Sequence, residues 1–315
     1  MSNFIYTVAF YNLENLFDTK DDPNTLDRDF LPWGKKSWTE DKYEKKIYKL
    51  GKAISRIARN KTEKPPVLVG IAEVENEAVI RDLVESKHLK DANYNFVHYD
   101  SPDERGIDVA LLVNEDYFTV DYSETIPIAI YETDGVKDYT RDVLYVNGRL
   151  NEEKVHVFVC HWPSRRDGAD LTSHKRVQAA EQVSDFIASN EAIKENAKII
   201  IMGDFNDNPI DTSVKEYLVT DNLYNPFEKL MNITRGSLSH YAEWFLFDQI
   251  IFSHNFFKLE KGKHSFQEAN VFDKEFLAEW EGKNKGNPFR TYRGKRYLGG
   301  YSDHFPVYIN LKKYR

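Results

Sequence analysis

The chain has 315 residues and a mass of 36.9 kDa, enough to bury a sizeable core in one large domain or two ordinary ones. Its 43 Lys and Arg against 51 Asp and Glu leave a formal charge of −8, which argues against non-specific coating of nucleic acid because phosphate binding needs a basic surface. No apolar run is long enough for a transmembrane helix, and no basic leader with a small-residue cleavage site opens the sequence. The lone Cys160 can form neither an intrachain disulfide nor a Cys-x-x-Cys metal knuckle. These features predict a cytoplasmic protein, monomeric by default.

In chain order, the first strand-length run of β-branched and aromatic residues is 4–11. An irregular stretch, 18–38, carries Asp18, Asp21, Asp22, Asp27 and Asp29. A second cation site is one reading, but the spacing is not that of an EF-hand, so a solvated acidic loop anchored by Trp33 and Trp38 is favoured. Tyr43, Ile47, Leu50, Ile54 and Ile57 then fall on one face of a helix, with Glu40 and Asp41 at its positive end. A strand run at 67–72 precedes a second helix from about Asn76, with Val79, Ile80, Leu83 and Val84 apolar. Strand runs follow at 94–99, 107–113, 143–150 and 155–161. A third helix from about Thr172 turns Val177, Ala180, Val183 and Ile187 inward. After a strand at 198–202 come a short helix near Asp211, a strand at 245–252, a long irregular stretch at 260–302 and a last strand at 305–311. Strands interleaved with helices imply layered α and β structure. With no fixed repeat and no low-complexity linker, one domain spanning 1–315 is expected.

Polar residues recur where these runs end. Strand 4–11 runs into Asn12-Leu13-Glu14-Asn15, and 67–72 into Glu73-Val74-Glu75; 155–160 ends at His161, and 198–202 at Gly203-Asp204-Phe205-Asn206. Two later strands reverse the pattern, with Asp248 before 249–252 and Ser302-Asp303-His304 before 305–311. If those two run antiparallel to the rest, all these residues share one rim. Taken singly, each is read more readily as a turn cap. The set as a whole holds carboxylates, amide oxygens and two histidines, which is what hydrolysis with a hard cation needs.

Asn12 in Tyr-Asn-Leu-Glu-Asn, Glu73 after an apolar strand, the Gly203–Asn206 segment, Asp248 and Ser302-Asp303-His304 stand in an order that resembles the endonuclease/exonuclease/phosphatase superfamily. The resemblance spans residues 12 to 304. It implies the deoxyribonuclease-like α/β (α+β) four-layer sandwich, two packed mixed or antiparallel β-sheets flanked by helices. The activity it implies is metal-dependent hydrolysis of a phosphodiester, with nucleic acid the leading substrate for an endonuclease or exonuclease. By the same resemblance Glu73 holds a divalent cation, Mg²⁺ or Mn²⁺, completed or flanked by Asn12 and Asp303. Spacing alone leaves Glu75 equal to Glu73, since i and i+2 share a face of an extended segment; the resemblance selects Glu73. Glu14 stands in the same relation to Asn12 and is a further candidate carboxylate. Asp204 is expected to orient or activate the attacking water, and Asn206 to donate to a phosphoryl oxygen. His304, paired with Asp248, is expected to bind the scissile phosphate or act as acid or base. His161 is expected to protonate the leaving oxygen from the other side.

Asp108 is a lone carboxylate in an apolar strand whose burial demands a partner, His161 or a nearby arginine; the alternative is a surface position at the strand start. Phosphate contacts are expected from arginines, whose fork matches phosphate oxygens. Arg141 fits the superfamily's Arg-acidic step ahead of a strand, Arg165 and Arg166 follow His161, and Arg290 belongs to a basic stretch with Lys283, Lys285, Arg293, Lys295 and Arg296 expected to overhang the site. Asp207-Asn208-Pro209 and Phe247-Asp248-Gln249 depart from the inositol-phosphatase pattern, and Ala72 replaces the Gln usual in apurinic-site enzymes. A phosphatase or sphingomyelinase-like phosphodiesterase of the same fold is the alternative. A non-catalytic binding module predicts losses at the catalytic positions, and none is seen. Neither Gly-x-Gly-x-x-Gly, a P-loop nor His-Glu-x-x-His occurs.

Overall fold

Apolar runs of strand length leave backbone donors and acceptors to be paired, and here they pair into two six-stranded sheets. The computed structural model describes residues 4–166, 168–193, 196–220 and 222–314. The strands used below are β1 (Ile5–Leu16), β2 (Leu68–Val74), β3 (Tyr94–His98), β4 (Asp108–Asn114), β5 (Phe118–Ile126), β6 (Val143–Leu150), β7 (Glu153–His161), β8 (Ile199–Asp204), β9 (Leu223–Tyr224), β10 (Leu238–His240), β11 (Glu243–Phe245), β12 (Asp248–Ser253), β13 (His264–Val271) and β14 (Val307–Lys313). The first sheet has the order β13-β14-β1-β2-β4-β3 and the second β9-β12-β8-β7-β6-β5. Both are mixed: β1–β2 and β7–β8 run parallel, and the other neighbours antiparallel.

The sheets pack face to face, β1, β2, β4 and β14 against β7, β8 and β12 or β6. The approach is close at Gly70, where an added Cβ would lie 2.5 Å from Met202 Sδ of the opposite sheet. Helices cover the outer faces. On the first sheet, α1 (Glu40–Ile54) and α2 (Glu77–Val84) bury Tyr43, Ile47, Leu50, Ile54, Val79, Ile80, Leu83 and Val84 in the core shared by both sheets. The Asn76 side chain accepts the Val79 N–H and so starts α2 where the sequence indicated. On the second sheet, α3 (Ala169–Ser189) closes a separate core with Ala180, Val183, Tyr145, Phe158 and Ile201. The result is the expected four-layer α/β sandwich. Among the described residues no helix is long and apolar enough to cross a membrane.

Several expectations are corrected. β5 and β13 were not expected as strands, and the stretch 260–302 is therefore not all loop. Both are edge strands, half-exposed and carrying residues such as Asp121, Glu124, Gln267 and Glu268, so neither shows the apolar run of a central strand. Trp38 anchors the acidic loop, fully buried with its Nε1 donating to Phe17 O (2.9 Å), but Trp33 is 75% exposed. Asp27 is buried within that loop, not solvated. α3 begins at Ala169, and Val177 and Ile187 on it are only half-buried.

Candidate active site

The antiparallel arrangement of β12 with β8, and of β14 with β1, brings the starts of the later strands to the ends of the earlier ones. Asp204 pairs in register with His161 on one side and Asp248 on the other. On the first sheet, Asn12 pairs with Ala72, after which both strands slip register. Glu14, Asn15 and Glu73 have left-handed φ of 52°, 55° and 62°. Such bulges re-aim side chains and recur beside active sites. Here they turn Glu73 toward Asn12.

Asn12 is the junction. Its Nδ2 donates to Asp204 Oδ2 (3.0 Å) and Glu73 Oε1 (3.3 Å). Glu73 Oε2 also accepts the Asn15 N–H (2.8 Å). Asp204 Oδ2 lies 3.8 Å from His161 Nε2 and 3.9 Å from His304 Nε2, so two imidazoles face one carboxylate. His304 Nδ1 meets Asp248 Oδ2 at 2.7 Å, and Asp303 Oδ1 is 3.9 Å from His304 Nε2. Asp204, Asp248 and His304 form a buried group whose ligand-capable atoms lie within 4.8 Å of one another. The cleft above them, about 630 Å³, is lined by Glu73, His161, Asp204, Asn206, Asp303 and His304 among others.

Burial and mutual charge divide the protons. Burial and then the Asp248 carboxylate push the Asp204 carboxyl up to about 7. Burial alone would lower His304, but Asp248, Asp204 and Asp303 outweigh it and hold the imidazole well above its usual value. Burial drives His161 the other way, helped by Arg141, Arg105 and His304. The site therefore sets one histidine that keeps its proton and one that gives it up across a carboxyl whose proton affinity is raised.

Other predicted residues fall elsewhere. Asp108 does not pair with His161: its partners are His98 Nε2 (3.1 Å) and the backbone N–H of Ser101 (3.0 Å), because β3 lies beside β4. Arg141 is buried, and its guanidinium donates to Asp103 Oδ2 (2.9 Å), Trp162 O (2.7 Å) and His161 O (3.2 Å), fixing the end of β7 instead of offering a free phosphate fork. Arg165 donates to Asn206 O (2.6 Å) and pairs with Asp207 and Asp211. Arg290 pairs with Asp303 (2.6 Å). Asn206, at φ 50°, donates its amide to Trp162 O (2.9 Å). Of the basic stretch 282–302, Arg290 lines the cleft, while Arg293 pairs with Glu279 and joins Arg296 beside a different pocket. Glu75 points away from Glu73: it accepts the Asp18 N–H (2.7 Å) and lines another groove, and burial pushes its carboxyl up to about 8. Glu14 lies behind the cleft, accepting the backbone N–H groups of Thr291 (2.5 Å) and Tyr292 (3.2 Å).

Sequence reading missed Arg105, Asn15 and the wall formed by Leu238, His240, Phe245 and Phe247, all of which line the cleft. Arg105 had a local signal, a basic residue just ahead of Gly106 (φ 65°) and a strand. In the wall, Phe245 and Phe247 fall within the strand expected at 245–252, which in the structure runs Asp248–Ser253, and Leu238 and His240 lie on a strand of three residues that no apolar run marks.

Against this geometry, the family model described as "Endonuclease/Exonuclease/phosphatase family" matches residues 7–313. The chain belongs to that family. No curated protein matches the chain. Among solved structures it is similar to a humanized TDP2 of D. rerio (TM-score 0.62, 15% identity, 99% of this chain and 100% of that one). It is also similar to D. rerio TDP2 complexed with single-strand DNA product (TM-score 0.59, 15% identity, 98% and 99%). A third is the mannosyl-6-phosphatase of Bacteroides thetaiotaomicron (TM-score 0.59, 15% identity, 97% and 99%). At such identity these likenesses establish the fold. Family membership makes the chain a phosphoric ester hydrolase of a family that uses divalent metals.

The donor set fits a hard cation. Glu73 and Asp303 offer carboxylate oxygen, while Asn12, whose Oδ1 accepts the Glu14 N–H (2.9 Å), turns its Nδ2 to Glu73 and Asp204 and so positions the carboxylates. Asp204 in the cleft and Glu14 behind it are both pushed up to about 7 by burial and neighbouring carboxylates. A cation would relieve that crowding.

Proposed function

We propose that the chain is a Mg²⁺- or Mn²⁺-dependent phosphodiesterase that cleaves nucleic acid by attack of an activated water. The observation that carries the reading is the placement of His161 and His304, with opposite proton affinities, on either side of the Asp204 carboxyl. Glu73 and Asp303 would hold the cation, flanked by Asn12, whose Nδ2 holds Glu73 in place; when bound, the cation supplies positive charge to phosphoryl oxygens.

Asp204 in its ionised form takes the proton of the attacking water, oriented by its hydrogen bonds from Asn12 Nδ2 and the Asn206 N–H. His304, kept protonated by Asp248, hydrogen-bonds the phosphoryl group and carries the proton available for the leaving oxygen. His161 is neutral at rest, so its part differs from the proton donor expected from sequence. It hydrogen-bonds a phosphoryl or leaving oxygen without adding net charge. Asn206 and Arg290 reach phosphate only by exchanging their present partners, Trp162 O and Asp303.

Nucleic acid is favoured by Arg105 and Arg166 in the cleft beside aromatic rings and by the fold shared with a TDP2 complexed with single-strand DNA product. A second reading, a phosphomonoesterase, is supported by the fold shared with a mannosyl-6-phosphatase; the internal pairing of Arg141, Arg165 and Arg290 leaves fewer guanidiniums for phosphates flanking the scissile one.

Cleavage of plasmid DNA, RNA, bis-p-nitrophenyl phosphate, sphingomyelin and sugar phosphates, with Mg²⁺ or Mn²⁺ added, separates these. Asp204→Asn and His304→Ala should each lower kcat by about 10²–10⁴. Activity that survives EDTA and both substitutions sinks the mechanism.

A further inference from the structure

β10 and β11 pair in the register Leu238↔Phe245, Ser239↔Trp244 and His240↔Glu243. The pleat therefore puts Leu238, His240 and Phe245 on one face and Trp244 on the other. The first face borders the cleft. The second stacks Trp244 on Phe305, the residue after His304, with ring centroids 6.2 Å apart. The base of the hairpin is joined to the site by backbone: Leu238 bridges His304, Ser237 O accepts the Phe305 N–H (2.6 Å), and the Ser237 hydroxyl accepts the Asp248 N–H (3.2 Å). The hairpin is thus held in fixed relation to the His304–Asp248 pair.

Its tip is Tyr241-Ala242, with left-handed φ of 49° and 67°. Two-residue hairpin turns of this hand favour Asn and Gly, which tolerate that backbone. Tyr is the costly choice there, and strain held at the edge of a site points to a use for the side chain. Tyr241 is 91% exposed, and its ring meets His240 edge to face at 4.2 Å. Further down the same wall, the Arg165 guanidinium lies 4.7 Å over the Phe247 ring.

We propose that this hairpin is the specificity element of the enzyme, a stacking platform for an unpaired nucleobase next to the scissile phosphate. The proposal rests on the nucleic-acid reading above and narrows it to single strands. Bases in a duplex already stack on one another, whereas an unpaired base has a free face for His240 and Tyr241. Stacking is indifferent to base identity, so the platform selects strandedness and not sequence.

The test uses the full chain carrying Asp204→Asn, so that bound strands stay uncleaved, and fluorescence anisotropy in Mg²⁺. The probes are a labelled single-stranded oligonucleotide, its duplex, and a strand of equal length with abasic sugars. The base-bearing single strand should bind about 10-fold or more tighter than the abasic strand. Adding Tyr241→Ala with His240→Ala should abolish that preference, and Tyr241→Phe should keep it. Equal affinity for all three probes, including no binding of any, overturns the proposal, as does a preference that survives the double substitution. Tyr241→Phe losing the preference as the double substitution does overturns the stacking role. Hydrolysis of bis-p-nitrophenyl phosphate by the unsubstituted enzyme reports separately on the phosphodiesterase reading, so failure of one is distinguishable from failure of the other.

Discussion

Asp204 shows how much a single position can carry. It is buried between two histidines and beside Asp248, and its carboxyl is pushed up to about 7. Below that value it is protonated and cannot take a proton from water, so kcat/KM should rise as pH climbs through about 7. His304, held protonated by Asp248, sets the falling limb at higher pH. Because a nearby cation favours the ionised carboxylate, raising Mg²⁺ should move the rising limb to lower pH. Measuring kcat/KM against pH at two Mg²⁺ concentrations checks both; a profile flat from about pH 5 to 8 removes Asp204 as the base. At this scale the sequence was most informative where residues are adjacent in the chain, as in Gly203-Asp204-Phe205-Asn206 and Ser302-Asp303-His304. It was least informative for the arginines. Arg141 and Asp103 are 38 positions apart, and no local pattern announces that one neutralises the other.

At the scale of elements, the bulges in β1 and β2 decide which carboxylates face the cleft. Period-two logic puts Glu73 and Glu75 on one face, but it assumes extended backbone. Glu73 at φ 62° breaks that assumption, and the pairing slips between Ala72 and Val74. Glu73→Gln should therefore raise the Mg²⁺ concentration needed for half-maximal activity, whereas Glu75→Gln should leave it unchanged. Titrating activity against metal in both variants checks the assignment, and equal effects would contradict it. The same scale explains the missed strands. β5 and β13 hold the sheet edges, where one flank has no partner and polar residues are tolerated. Central strands such as β8, buried along their whole length, were legible because both faces must be apolar.

Across the whole molecule, the rim opposite the cleft holds the sheets together with charge. Glu153 opens β7 in the second sheet and meets Lys198, just ahead of β8 (2.9 Å), and His264 of the first sheet (2.7 Å). Burial alone would raise the Glu153 carboxyl, but His264 and Lys198 outweigh it and hold it down at about 2. A carboxylate whose folded value lies below its unfolded one adds stability that is complete above the unfolded value, about 4.3, and is lost as pH falls toward 2. The shift corresponds to about 3 kcal/mol at neutral pH. His264, lowered chiefly by burial, acts in the same direction, since its protonation in the unfolded chain also favours unfolding at low pH. Glu153→Gln should lower Tm at pH 7 and flatten the loss of stability between about pH 4.5 and 2. Calorimetry across that range checks it; a variant with unchanged acid sensitivity removes Glu153 from the account.

The order of polar residues at strand ends, the helix faces and the composition were fixed by sequence, because each depends on neighbours a few positions away. They sufficed for the layered fold and for a rim carrying Asn12, Glu73, His161, Asp204, Asp248 and His304. The net charge of −8 described the chain but not the cleft, where Arg105, Arg141, Arg165, Arg166 and Arg290 gather. Tertiary structure alone decided which of those arginines are already paired, which histidine keeps its proton, and that a short hairpin stands over the site. Those outcomes depend on burial and on charges brought together from distant parts of the chain, and neither exists until the two sheets close on each other.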